Sequence, residues 1–184
     1  MRKYIRFALI VLLSTLFISQ ARAQKKDNCD FFDTVVNNHN QIFPYSGIPS
    51  AIELALKQCK AVDLNFYKLQ NDWQNKTDGS FSDFDKKKLY GVTFYQKFKL
   101  PRNGNFPLDS LFQSIDNELK LGRKVIIALR VENGWPIFVV HKRAPNGEFV
   151  SYSKFGSNTL IIRNTKEIVK KSNGTEIMTY STGL

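Results

Sequence analysis

The chain has 184 residues, with 27 Lys and Arg against 16 Asp and Glu and a formal charge of +11. Its basic residues fall in scattered pairs (Lys25-Lys26, Lys86–Lys88, Lys142-Arg143, Lys170-Lys171), a solvated face rather than the dense, aromatic-interleaved stripe of a nucleic-acid binder. Two cysteines and two histidines of unsuitable spacing exclude a closed zinc site, and no Gly-rich phosphate loop or metalloprotease helix is present, so neither metal nor cofactor is expected.

Arg2, Lys3 and Arg6 open the chain, the apolar run Phe7–Ile18 follows, and Ala21-Arg22-Ala23 closes it. These are the three parts of a secretory signal peptide, Met1–Ala23, with the mature protein starting near Gln24. The apolar run is too short for a permanent span, which needs about 20 residues. The first cysteine, Cys29, follows Lys26-Asp27-Asn28 rather than the small apolar residues that precede a lipid-modified cysteine. The expected product is soluble, periplasmic or secreted, and without a membrane span. The leader contributes four of the 27 Lys and Arg and no acidic residue, so the mature charge falls to +7. Residues 24–184 suffice for one domain with a real core. In an oxidising compartment Cys29 and Cys59 are candidates for a disulfide. That bond would close a loop of about 30 residues and contribute roughly 3–4 kcal/mol on the chain-entropy view.

Along the mature chain, Asp30–Asn40 reads equally as helix or extended chain. Gln41-Ile-Phe-Pro-Tyr-Ser-Gly-Ile-Pro-Ser50 is a turn-rich entry to a helix, with Pro49 suited to a first helical position. Ala51–Lys60 places Ile52, Leu54, Ala55, Leu56 and Cys59 close to helical periodicity, and is expected to be mostly buried. A second helix is expected over Leu64–Gln74, a loop over Asn75–Lys88, and a short strand over Tyr90–Phe98. Leu108–Leu121 is amphipathic, with Leu111, Phe112, Ile115 and Leu119 inward and Gly122 as its stop signal.

The second half is β-rich: Lys124–Val131, Trp135–Lys142, Glu148–Ser153 and Thr159–Arg163. Asn133-Gly134 and Asn146-Gly147 separate the first three, a strong hairpin signal. A short helix over Thr165–Lys171 and a strand over Glu176–Tyr180 close the chain. Helices first and antiparallel strands second describe an α+β domain.

Three segments carry a resemblance to a known family. Tyr45-Ser-Gly-Ile-Pro-Ser-Ala-Ile-Glu-Leu54 resembles the start of the nucleophile helix of papain-like peptidases, commonly C-x-P-(S/A)-(S/A), in particular of their bacterial C39-like branch. Gly134-Trp-Pro-Ile-Phe-Val-Val140 resembles the strand that begins with the catalytic histidine, and Asn146–Ser153 the hairpin that ends in the third catalytic residue. Gln41, six residues before Gly47, matches the spacing of the oxyanion-hole glutamine. The resemblance spans roughly residues 41–180 and implies N-terminal helices packed on a C-terminal antiparallel sheet.

It also implies a degenerate site. Such a hydrolase needs a thiolate at a helix N-terminus, a histidine base and a side chain that orients the histidine. At those positions stand Gly47, Pro136 and Ser153. The expectation is an inactive, peptidase-like protein that binds a protein or peptide partner through Gln41, Ser46, Gly47, Trp135 and Pro136, for example as an immunity-type protein neutralises a toxin. The competing classes are an active hydrolase and a structural envelope component. In the hydrolase, Ser46, His39 or Cys59 would carry the chemistry. His141 lies five residues beyond Pro136, so it faces away, roughly 16 Å along the strand. Cys59 sits at the helix end that disfavours a thiolate. The carboxylate pairs Asp83/Asp85 and Asp30/Asp33 lack a third ligand and read as solvated charges.

Overall fold

The apolar runs 125–128 and 137–140 are continuous rather than alternating because the sheet is covered on both faces there. The computed structural model describes residues 32–132 and 134–183. The signal peptide Met1–Ala23, Cys29, Asp30 and the hairpin residue Asn133 therefore lie outside the described residues. The helices are α1 (Phe32–Asn38), α2 (Gly47–Gln58), α3 (Lys68–Trp73), α4 (Leu108–Lys120) and α5 (Thr165–Lys171). The strands are β1 (Lys88–Leu89), β2 (Val92–Lys97), β3 (Val125–Ala128), β4 (Ile137–Arg143), β5 (Phe149–Phe155), β6 (Asn158–Ile162) and β7 (Ile177–Thr182). They form one antiparallel sheet in the order β1-β2-β7-β3-β4-β5-β6.

The α+β class holds. The simple division into helices first and strands second does not, because β1 and β2 come from the first half and β2 pairs with the last strand, Val92 opposite Thr182 and Lys97 opposite Ile177. Alternation along each strand sorts the side chains into two cores. Ile126, Val139, Tyr152, Met178 and Tyr180 pack with Ile52, Leu54, Ala55 and Leu56 of α2. Val125, Ile127, Phe138, Val140, Phe149 and Ile177 pack with Leu111, Phe112 and Ile115 of α4 and Val169 of α5.

Local chemistry explains most boundaries. Asp30–Asn40, ambiguous in sequence, is helical over Phe32–Asn38, with Val35 and Val36 buried. Helix α2 starts four residues earlier than expected, at Gly47, so Pro49 is its third residue. That position also tolerates proline, since the first N–H groups of a helix have no intrahelical acceptor. The second helix is short, Lys68–Trp73 rather than Leu64–Gln74. Gly122 stops α4 as expected: it takes φ +81°, and the Arg123 N–H returns to the Glu118 carbonyl at 3.0 Å. At Asn146-Gly147 the turn forms with Gly147 at φ +82°. No helix among the described residues is long and apolar enough to cross a membrane.

The loop after α3 is held against Trp73. A Cβ added at Gly79 would meet Trp73 Cζ2 at 1.8 Å, and a rigid ring cannot yield that space. Gly79→Ala is expected to destabilise the protein by about 1–3 kcal/mol through overpacking. Thermal unfolding should then begin several degrees lower, at roughly 2–4 °C per kcal/mol; an unchanged melting curve would show that the loop is free of the ring.

Candidate functional site

Helix α2 begins where β4 begins, and the loop 40–46 carries the chain from α1 across that junction. The junction opens into a cavity of about 370 Å³ lined by Gln41, Tyr45, Gly47, Ile48, Trp73, Trp135, Pro136, Ile137, Ser153, Lys154 and Phe155, among others. Gln41, Gly47, Trp135, Pro136 and Ser153, separated by more than 100 residues in sequence, are therefore neighbours. Ser46 is not among them. It is fully buried, its hydroxyl 2.8 Å from both the Phe43 carbonyl and Gln70 Oε1, and it faces away from the cavity.

The geometry corrects the roles read from sequence at three positions. First, the side chain that faces Gly47 is Ile137, not Pro136. A Cβ on residue 47 would lie 3.5 Å from Ile137 Cγ1 and 3.9 Å from Gln41 Oε1. Strand alternation then puts Val139 and the ring of His141, stacked on Phe32 at 3.6 Å, on the same face as Ile137. His141 thus shares the face of the residue that looks at Gly47, yet stands four residues away, roughly 13 Å.

Second, Gln41 does not present its amide N–H groups. Nε2 donates to the Phe43 and Pro44 carbonyls, each at 2.9 Å, so both hydrogens are engaged in bracing the loop. What Gln41 turns toward Gly47 is its acceptor, Oε1. An oxyanion would meet a lone pair there, the reverse of what stabilises it. The backbone N–H of Gln41 donates to the Gly156 carbonyl at 3.1 Å, tying the loop to the β5–β6 hairpin.

Third, Ser153 cannot orient a group at Gly47. Its hydroxyl donates to the Ile137 carbonyl at 2.6 Å. Continuing the Val139–Tyr152 pairing by two residues sets Lys154 opposite Ile137. The Lys154 ammonium donates to the carbonyls of Val36 (3.1 Å) and Ser157 (2.9 Å) and to Thr159 Oγ1 (3.1 Å). All three of its hydrogens have acceptors, and burial lowers its pKa.

The cavity therefore offers aromatic and aliphatic walls, the Gln41 acceptor and Lys76, which pairs with Asp83 at 3.2 Å, and it is also lined by Gly47 and Ile48. Those two lie in the first turn of α2, where Ser46 makes no side-chain cap. No thiol, imidazole or carboxylate lines it among the described residues. Trp135 is held from outside by the Arg102 guanidinium, 3.8 Å from its ring centroid, and Trp73 by a bond from Nε1 to the Tyr45 carbonyl at 3.2 Å.

Beneath the cavity lies a polar network that the sequence reading missed. His39, Glu53, Lys57 and Gln70 are each 1% exposed or less. Lys57 Nζ lies 2.9 Å from His39 Nδ1, and His39 Nε2 lies 3.0 Å from Ser50 Oγ. The cation has no lone pair, so Nδ1 accepts and Nε2 carries the hydrogen toward Ser50. Glu53 receives the Gln70 backbone N–H at 3.0 Å and its Nε2 at 2.7 Å. Burial, assisted by Lys57, pushes the His39 pKa down to about 3. Burial also lowers Lys57 to about 8, against the pull of Glu53, and raises Glu53, against its bonds from Gln70.

This network bears on the serine-hydrolase alternative. The serine beside His39 is Ser50, not Ser46. A base must accept the serine proton, and here Nε2 already carries one. Ser50 is 4% exposed. Cys59 is the C-cap of α2, and no free cysteine occurs among the described residues. Asp83 binds Lys76 at 3.2 Å and caps Ser80, while Asp85 accepts from the Gln96 N–H. No cluster of three or more His, Cys, Asp or Glu is found among the described residues.

No family model, curated protein or solved structure matches the chain.

Proposed function

We propose that the chain is an exported, papain-like pseudoenzyme that binds an extended protein or peptide segment in the cavity at the start of α2. One observation carries the reading: Gly47, Gln41, Ile137 and Ser153 converge on one cavity, with a glycine facing an isoleucine where the family would place a thiol facing an imidazole. Packing positions and chemistry positions are different residues, so a frame can outlast its reaction. The cavity suits an uncharged stretch of chain. Tryptophan and isoleucine walls take apolar side chains, and Oε1 of Gln41 accepts a backbone N–H. In the periplasm or outside the cell, such a protein would sequester or neutralise a partner. The Cys29–Cys59 bond belongs to the same proposal.

The experiment uses the protein's own reporters, since both tryptophans of the chain line the cavity. Titration with a pool of uncharged decapeptides should shift tryptophan emission, and Gly47→Leu, which fills the space beside Ile137, should weaken the response at least tenfold while the fold is retained. In parallel, a fluorophosphonate and an iodoacetamide probe should leave the folded protein unlabelled. Hydrolysis of the peptides, or site-specific labelling abolished by changing Ser50, Ser46 or Cys59, would replace this reading with an active hydrolase.

A further inference from the structure

Four Asn-Gly pairs occur in the chain: Asn103-Gly104, Asn133-Gly134, Asn146-Gly147 and Asn173-Gly174. An asparagine followed by glycine is open to attack on its own side-chain amide, because the next backbone nitrogen can reach Cγ with no Cβ in the way. The reaction needs that N–H free to lose its proton. Asn133 lies outside the described residues, and the other three pairs differ in this respect. The Gly147 N–H donates to the Ala144 carbonyl at 2.9 Å, inside the β4–β5 turn. The Gly174 N–H donates to the Val169 carbonyl at 3.0 Å, just past the end of α5. There the Phe106 ring sits so close that a Cβ on residue 174 would collide with it. The Gly104 N–H has no acceptor among the described residues, and both Asn103 and Gly104 are exposed. The Asn103 side chain is also poised. Its Oδ1 accepts the Asn105 N–H at 2.9 Å, which folds the amide back over the Gly104 peptide.

We propose that Asn103 is a modification site, at which the chain converts its own asparagine to aspartate and isoaspartate. The Gly104 nitrogen gives its proton to solvent and bonds to Cγ of Asn103. Negative charge gathers on Oδ1, where the Asn105 N–H already donates. The Cγ–Nδ2 bond then breaks, and the side-chain nitrogen leaves as ammonia with a proton taken from water. Water opens the cyclic imide that remains at either carbonyl, giving aspartate or its β-linked isomer. Nothing is oxidised or reduced. Gly147 and Gly174 must each first break a hydrogen bond, and Gly174 must also move a phenylalanine ring, so Asn146 and Asn173 are held back. The change reaches past its own loop. The guanidinium of Arg102, next in the chain, lies 3.8 Å from the Trp135 ring centroid and 3.9 Å from Glu176 Oε1. A carboxylate at position 103 competes with Glu176 for that cation, and an isoaspartyl link adds a carbon to the backbone beside it. The inference stands apart from whatever the cavity binds.

The mature chain, held in neutral buffer, is sampled over weeks and mapped by mass spectrometry, with isoaspartate read by methyltransferase labelling. The Asn103 peptide should convert at least about tenfold faster than those of Asn146 and Asn173. In guanidinium chloride, where no N–H is protected, the three rates should draw level. Gly104→Ala, whose methyl would meet nothing within 4 Å, should keep the melting curve and slow Asn103 about tenfold. The proposal is overturned by a folded protein in which Asn103 converts no faster than the other two, a comparison made within one unaltered chain. It is overturned equally by a preference for Asn103 that persists undiminished in guanidinium, or by a Gly104→Ala chain that converts at the wild-type rate.

Discussion

Replacing Gln70 by leucine is expected to cost about 3–4 kcal/mol of folding stability, a fall of about 10 °C in melting temperature for a chain of this size. Gln70 has no exposed surface, and its amide is a four-way junction. Nε2 donates to Glu53 Oε2 (2.7 Å) and the Asn40 carbonyl (3.0 Å), while Oε1 accepts from the Ile42 N–H (2.9 Å) and the Ser46 hydroxyl (2.8 Å). Leucine fits the volume and keeps the backbone bond to Glu53, yet leaves a buried carboxylate short of one donor and several loop groups unpaired. Unmet buried polar groups are the expensive case, about 1–3 kcal/mol each with partial relief by relaxation. The loop 40–46 loses its anchor to α3, so the tryptophan emission of the cavity should change along with stability. Chemical denaturation checks the magnitude, and a loss below about 1 kcal/mol would mean that the loop is held by something other than this junction.

The second large effect is a loss of stability on acidification that belongs to one histidine. In the folded protein His39 titrates at about 3, below its ordinary value of 6.5. The unfolded chain therefore binds a proton as pH falls through 6.5 while the native state does not. Stability is full above pH 6.5 and declines steadily down to the folded value. By pH 5, before most carboxylates titrate, the loss reaches about 2 kcal/mol. Lys57 and Lys154, the charged groups acting on the ring, are both cationic and push in the same direction as burial. His39→Gln can still accept from Lys57 and donate to Ser50 without titrating. Its stability between pH 7 and pH 5 should be flat, though lower at neutral pH. Parallel pH dependence in the two proteins would assign the acid sensitivity to other groups.

How much of this was legible in sequence divides along physical lines. Helix α4 was read nearly to the residue because its solvent-facing half alternates properly with its buried half, and Gly122 marks its end. Helix α2 is mostly buried, as its periodicity predicts, though it starts at Gly47 rather than Ala51. Glu53 and Lys57 stand four apart, as a solvated pair would, and nothing local says that the helix is enclosed on every side from Pro49 to Gln58. Only the arrival of Gln70, His39 and Tyr67 from elsewhere makes those positions interior. Of the positions singled out from the turn before α2 and the strands that follow, Gln41, Gly47, Trp135, Pro136 and Ser153 line one cavity and Ser46 does not. The shift from Pro136 to Ile137 was hidden because register against α2 is a tertiary fact. The orientation of the Gln41 amide was hidden because spacing identifies a glutamine but not which end of it faces the cavity.

The last strand of the chain lies in the middle of the sheet, between β2 and β3. As the polypeptide is made, everything through α5 can be present while the two halves of the sheet still have no strand to join them. The seam closes only when Ile177–Thr182 arrive. Contacts between β2 and β7 span some 80 residues, so their formation is a slow, late event. A chain cut before Ile177 is left with two open edges in the interior.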